Sequence, residues 1–357
     1  MDLTSNFSTQ RPVPVRPYIN ARPSVSAVSI KILVLLCIQM AMLAVSGSIG
    51  AFTVAADAAA GSAAAASLCC LVRGRPWFTV IPAVAQGIMT GLLLPESYPP
   101  AAAMLITAGT FLLVRILFPD SDMPWMNMAA LAVVLAWFSG RTFFPEFQIT
   151  RELLPSRNPS LELIRGGVFP VHEFDSPVTV LLNSSILSGL KASVPEGYIS
   201  MLWDNGSVIP AFRFNIITIL SSVVLFADDS LGAAVPAVFT AVYASLVRIL
   251  APFMFGGSLN SGDVFLAVFT GGTLFCAVFM IQWFGTVPAT KCGKIIYAAA
   301  GGATAFLVAG CGTSPVGMVY TVLLCNLLSL VIHHAEESRL LGRTAGGERQ
   351  KLKAEIR

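Results

Sequence analysis

Val28-Ser29-Ile30-Lys31-Ile32-Leu33-Val34-Leu35-Leu36-Cys37-Ile38-Gln39-Met40-Ala41-Met42-Leu43-Ala44-Val45-Ser46-Gly47-Ser48 is one nearly unbroken apolar run. About 20 apolar residues cross a bilayer core as a helix. The run does not alternate with period two, as a membrane barrel strand does. A helix is then the backbone that can satisfy its own hydrogen bonds in lipid. Nine further runs of the same kind follow at 50–71, 78–94, 100–118, 124–140, 209–226, 231–250, 263–284, 295–311 and 315–333. The expected fold is an all-α polytopic membrane protein with ten transmembrane helices.

Composition agrees. Of 357 residues, 55% are hydrophobic and 11% charged, where a soluble domain carries about 25% charged residues. Mean hydropathy is +0.76. The net charge of +3 is not gathered into a basic face, so no nucleic-acid partner is expected. Seven cysteines occur without a CxxC pair. They read as small buried apolar residues rather than as a zinc or iron–sulfur site.

Positive charge sets the orientation. With the N-terminus inside, the cytoplasmic side collects Arg11, Arg16, Arg22, Arg73, Arg75, Lys291, Lys294 and the tail from Arg339 to Arg357. The short opposite loops 95–99, 251–262 and 312–314 carry no Lys or Arg. Residues 1–27 are polar and rich in Pro and Arg, and read as a cytoplasmic segment rather than a signal peptide. The long insert 141–208 falls on the outer side and divides the spans five and five. An odd number per half reverses the polarity of the second half, which is the arithmetic of two inverted five-helix repeats. The chain then reads as an N-terminal segment (1–27), a first repeat (28–140), an outer loop (141–208), a second repeat (209–333) and a basic cytoplasmic tail (334–357). The third span of each half is marked by glycine, at Gly87 and Gly91 and at Gly271-Gly272, where another backbone or a cofactor can come close. The Ala-rich second span, with Asp57, is expected to pack against helices rather than lipid.

The outer loop is too long for a plain connector. Its prolines and glycines suggest an irregular surface segment. Within it lies Asp175-Ser176-Pro177-Val178-Thr179-Val180-Leu181. Pro177 restricts Ser176 and fixes its own φ, so Ser176–Thr179 is expected to be extended or turned, with Asp175 as a nearby acceptor. From chemistry alone this is an ordinary turn or an exposed hydroxyl.

Residues 16 to about 343 resemble the family of the D subunits of Rnf electron-transport complexes and, more distantly, the B subunits of sodium-translocating NADH:quinone reductases. The stretches that carry the likeness are Arg16-Pro17-Tyr18, Thr90-Gly91-Leu92-Leu93-Leu94-Pro95, Pro124-Trp125-Met126-Asn127-Met128-Ala129, Gly271-Gly272-Thr273-Leu274 and Leu323-Leu324-Cys325-Asn326. The resemblance implies FMN joined to Thr179 by a phosphoester that a separate flavin transferase makes, with Ser176 as part of the recognition signature. Val178 stands where the family usually has Ala. The family's Thr-Asp-Pro turn after the eighth span is replaced here by Gly285-Thr286-Val287-Pro288, so no role of that Asp carries over. The implied function is a relay subunit in a bacterial cytoplasmic (inner) membrane. Electrons pass between reduced ferredoxin and NAD⁺ while Na⁺ or H⁺ crosses. A second, non-covalent flavin such as riboflavin is left open. The chain has neither Rossmann glycines nor cluster cysteines, so other subunits of the complex must meet NAD and ferredoxin, and this chain is not catalytic alone.

Ionisable groups near the membrane are costly and so are functional candidates. Arg213 opens the sixth span directly after the loop, placed to pair with a flavin phosphate or to act as a membrane-edge anchor. Asp57 is a candidate for an ion path. Arg115, Arg248 and Asp263 lie near helix ends, where snorkelling is expected. His172 reads as a solvated loop residue. The rival function from another class is a non-redox transporter or channel of inverted-repeat fold.

Overall fold

Ser24 sets the first helix. Its side chain accepts from the Ala27 amide at 3.2 Å, filling one of the unpaired donors at a helix start, and α1 runs over Val25–Val45. The computed structural model describes residues 24–118, 125–146, 158–254, 259–310 and 314–355. The Arg-rich segment before Ser24, Pro124 and Cys311 lie outside these. Gly47 turns the chain into α2 (Ile49–Arg73), which stops at Gly74 in the left-handed conformation. Then come α3 (Val80–Leu92), α4 (Pro100–Leu117) and α5 (Met128–Ser139). The insert carries α6 (Pro159–Arg165), α7 (Asp175–Ser185) and α8 (Tyr198–Trp203). After it follow α9 (Asn215–Ala227), α10 (Ala234–Met254), α11 (Val264–Phe269), α12 (Thr273–Phe275), α13 (Lys291–Ala309) and α14 (Gly317–Glu355).

Among the described residues, six helices are long and apolar enough to cross a membrane: α1, α2, α4, α10, α13 and the Gly317–Arg339 part of α14. The chain is a multi-pass, all-helical membrane protein among its described residues. The expected spans 78–94, 124–140 and 209–226 appear as shorter apolar helices. At 1.5 Å per residue the 13 residues of α3 reach about 20 Å, less than the ~30 Å hydrocarbon core. The eighth expected span, 263–284, is not one helix. It breaks at Thr270–Gly272 and resumes as α12, which passes into a π-helical turn over Cys276–Met280. Gly272 has φ +71°, and a Cβ there would lie 2.1 Å from the Phe212 ring. No side chain fits, and the left-handed residue ends the helix. Asn205 and Asn215 donate to the Phe269 carbonyl at 3.0 and 2.8 Å, satisfying the cut end.

Small residues hold the first half together. A Cβ on Gly91 would sit 2.4 Å from Ala55 Cα, and one on Gly61 2.3 Å from the Met104 carbonyl oxygen. Thus α2 is clamped between α3 and α4 by backbone contact, as its alanines led one to expect. In lipid this van der Waals packing replaces hydrophobic drive between helices. With α11, α12 and the π-helical turn counted as one interrupted third helix of the second half, in both halves the second helix packs on the third and fourth, the fourth on the fifth, and the first on the third; α1 also meets α9, and α5 meets α14.

The turns sort onto two faces. On one face Arg213 reaches Ser48, Glu96 N–H donates to the Val208 carbonyl, and Ser160 N–H donates to Asp263. On the other, Lys31 pairs with Asp228. Glu336 of α14 accepts from the Ala289 and Thr290 amides and joins α14 to the turn before α13.

With three α-helices among its described residues, the insert 141–208 is not the irregular segment its prolines suggested. Pro159 opens α6, where its missing N–H costs nothing. The tetrapeptide Ser176–Thr179 is helical rather than extended, because Pro177 sits in the first turn of α7, where no amide has an intrahelical acceptor.

Candidate functional site

Because Asp175 and Thr179 are four apart in a helix, they share one face of α7. That face is turned inward: Asp175 is 0% and Thr179 3% exposed. The Thr179 hydroxyl donates to Asp175 Oδ1 at 3.1 Å. The same carboxylate accepts from the Gly197 amide at 2.7 Å and the Ser200 amide at 2.6 Å, and so caps α8. Gly197 holds φ +95° with its Cα against Ile164, a place without room for a Cβ. Burial alone raises the Asp175 pKa, but the Gly197 and Ser200 bonds and the Thr179 hydroxyl outweigh it and hold the carboxyl below its usual range.

Further ties close α7 onto the segment before α8. Ser176 Oγ, exposed, donates to Glu196 at 2.8 Å. Asn183 exchanges two bonds with the Val194 backbone, at 2.9 and 2.8 Å. Ser200 Oγ accepts from the His172 amide at 2.9 Å. The His172 ring stacks on Phe174 with centroids 5.4 Å apart and is tied into the loop rather than simply solvated.

Arg213 is engaged elsewhere. Its Nε and Nη2 meet Asp204 at 2.8 and 2.5 Å in a two-pronged pair, and Nη1 donates to Ser48 Oγ at 2.6 Å. Burial raises the Asp204 pKa, and the Arg213 bonds, the Gly206 amide and the guanidinium charge bring it below the normal value. The structure therefore gives Arg213 a loop carboxylate as partner, where the sequence suggested a phosphate. Asp57 is half-buried in α2. Arg115 is buried instead of snorkelling, and Arg73 Nη2 donates to its carbonyl at 3.0 Å. Arg248 is exposed and donates to the Gly262 carbonyl at 3.0 Å; Asp263 caps α11 by accepting from Leu266 N–H. A cavity of about 530 Å³ opens beside these two, walled by Asn158, Val194, Tyr198 and Phe265. Among the described residues, no three His, Cys, Asp or Glu side chains gather as a metal site.

A family model described as the NQR2, RnfD, RnfE family matches residues 13–342. The chain belongs to this family. The D subunit of the ion-translocating oxidoreductase complex of Actinobacillus pleuropneumoniae serotype 7 (strain AP76) is 24% identical over 277 residues, covering 72% of this chain and 78% of that one. Its counterpart of the same description from Sodalis glossinidius (strain morsitans) is 25% identical over 274 residues, with the same coverage. Within this family chain, Thr179 is the hydroxyl that the sequence singled out as an anchor for FMN. A phosphoryl group on Thr179 Oγ1 would stand beside the Asp175 carboxylate in a space closed to solvent. As folded here, α7 and α8 do not accommodate it. Asp175 was legible as a nearby acceptor. Its bonds to Gly197 and Ser200 were not, since those partners lie 22 and 25 residues away.

Proposed function

We propose that this chain is the membrane subunit of an Rnf-type ion-translocating electron-transfer complex, carrying FMN as a phosphoester on Thr179. The family match over residues 13–342 supports this reading most. The placement of a motif threonine on a defined helix of the insert, rather than within a membrane helix, agrees with it. When bound, the flavin supplies the electron relay. The chain supplies the rest. Its helices fix the insert against the bundle through Ser48, Asp204 and Arg213, and its hydroxyl provides the anchor. The coupled ion is Na⁺ or H⁺, and other subunits of the complex meet the soluble electron carriers.

We further infer two inverted five-helix repeats. The support is the matching neighbour pattern in the two halves together with the α1–α9 and α5–α14 contacts. The lysine and arginine asymmetry supports a reading with both termini in the cytoplasm and the insert on the outer face of the bacterial inner membrane.

The test of attachment is mass and fluorescence. Co-expressed with a flavin transferase, the wild-type peptide spanning Thr179 should gain FMN minus water, and the denatured band should fluoresce. Thr179→Val should still insert and stay dark, whereas Ser176→Ala should keep the label. A labelled Thr179→Val protein would move the anchor to another residue, with Ser184 and Ser185 next. An unlabelled wild type points to Val178, and Val178→Ala should then restore the label.

A further inference from the structure

We propose that Asp175 is a latch over the attachment residue: the closed α7–α8 arrangement and a phosphoester on Thr179 exclude each other, so loading the flavin opens α8 away from α7 and keeps it open. This rests on the reading of Thr179 as the FMN anchor.

Three observations converge on it. The Thr179 hydroxyl is buried, so a transferase cannot reach it without movement of α7 or α8. Its hydrogen is given to Asp175, and that hydrogen is the atom attachment removes. In the loading step the Thr179 Oγ1–P bond forms, the phosphoanhydride P–O bond of the donor flavin nucleotide breaks, and the proton departs with the leaving nucleotide. Oγ1 then has nothing to donate, and the new phosphodiester brings a negative charge beside a carboxylate. Like charges in a site of low dielectric repel strongly. The third observation is that this carboxylate caps α8 and ties it to α7, through the Gly197 and Ser200 amides. Displacing Asp175 from Thr179 therefore also removes the cap of α8. That helix has only six residues and little cohesion of its own. The remaining ties from α7 itself, Ser176 to Glu196 and Asn183 to Val194, are at or near the surface and can part and re-form in water, while Tyr198 and Ser200 keep α8 on Ser160, Asn158 and the His172 amide.

The experiment is hydrogen–deuterium exchange on the full chain in detergent or nanodiscs, prepared with and without a co-expressed transferase, with attachment scored separately by mass. The loaded protein should exchange the Gly197 and Ser200 amides at least tenfold faster than the unloaded protein, while α13 is unchanged. Asp175→Asn should speed the same two amides without any flavin. It should also take the label several-fold faster in a timed reaction with purified transferase. If the protein gains the FMN mass and the two amides keep their protection, the latch is wrong and the anchor stands. If Asp175→Asn loads no faster than wild type, Asp175 is not the restraint. If no mass appears on Thr179, the anchor reading itself falls and the latch with it.

Discussion

Arg213 and Asp204 are 12% and 10% exposed and meet through two parallel N–H···O bonds. Removing one member of such a pair leaves the other desolvated and alone, at a cost of about 3–5 kcal/mol when burial is complete. Arg213→Ala should fall toward the lower end of that range and lower the melting temperature by several degrees, with residues 141–208 becoming the first protease target. Arg213→Lys keeps charge but loses the planar fork, so it should recover only part of the loss. Melting and proteolysis equal to wild type would make Arg213 a simple membrane-edge anchor. The two loop carboxylates also fix a pH dependence. Asp175 and Asp204 are both held below the ordinary carboxylate value in the folded protein. Their stabilisation is therefore complete above the unfolded value of about 4. It is lost as pH falls through their lower folded values. Amide exchange at Gly197, Ser200 and Gly206 should stay flat from pH 7 to 5, after correction for intrinsic rates, and rise below about pH 4. A rise already complete above pH 5 would take the loop's stability away from these two carboxylates.

At the scale of helices, glycine positions differ sharply in what they tolerate. Gly91 faces the α2 backbone, with Ala55 Cα 2.4 Å from a built Cβ, and backbone cannot step aside as a side chain can. Gly109 in α4 has nothing within 4 Å. Gly91→Ala should cost about 1–3 kcal/mol through forced separation of α2 and α3, whereas Gly109→Ala should be neutral or stabilising by up to about 1 kcal/mol from helix propensity. Thermal melts of the two single mutants side by side decide this; equal losses would show that general helix effects, not the α2–α3 contact, are being measured. These helices were largely legible in the sequence, because apolar runs and small-residue stripes are local features. The break at Thr270–Gly272 was visible only as a glycine pair. A run of average hydropathy reads through three residues, and the space a side chain would need at Gly272 is taken by Phe212, sixty residues earlier. The short helices of the insert were missed because seven- and eleven-residue helices have little intrinsic stability. Here they are held by tertiary bonds, such as Ser160 to Asp263 across 103 residues. The hydroxyl at Thr179 could be picked out from its motif, but its burial could not.

For the molecule as a whole, the two faces defined by hydrogen bonding support the proposed alternating path through ten membrane passages. The α1–α2 turn at Ser48, the α3–α4 turn at Glu96 and the insert share one face. Lys31 at the start of α1 and Asp228 after α9 share the other. α9 leads from Arg213, bonded to Ser48, to Asp228, paired with Lys31; α5 leads from Trp125, packed edge-on against Phe118 at the end of α4, to Ser139, which meets Tyr98 beside Glu96. On that reading the shorter helices complete passages that their length alone does not establish, in a bilayer that thins locally or beside partner subunits. Cys292, exposed at the start of α13 and just after the Ala289–Thr290 turn that Glu336 holds, is a native reporter for the proposed inner face. Glu173, exposed in the insert, serves the other once replaced by cysteine. In a background with the remaining cysteines removed, a membrane-impermeant maleimide added to intact cells should label Glu173→Cys and spare Cys292. Opening the cells should expose Cys292. If both positions react from outside, the two faces are not separated by the bilayer and the odd number of passages per half is lost, and with it the inverted repeat. If Cys292 alone reacts, the faces are separated but the chain lies the other way up. The arginines would then have misreported the orientation, and a flavin on Thr179 would sit on the cytoplasmic side.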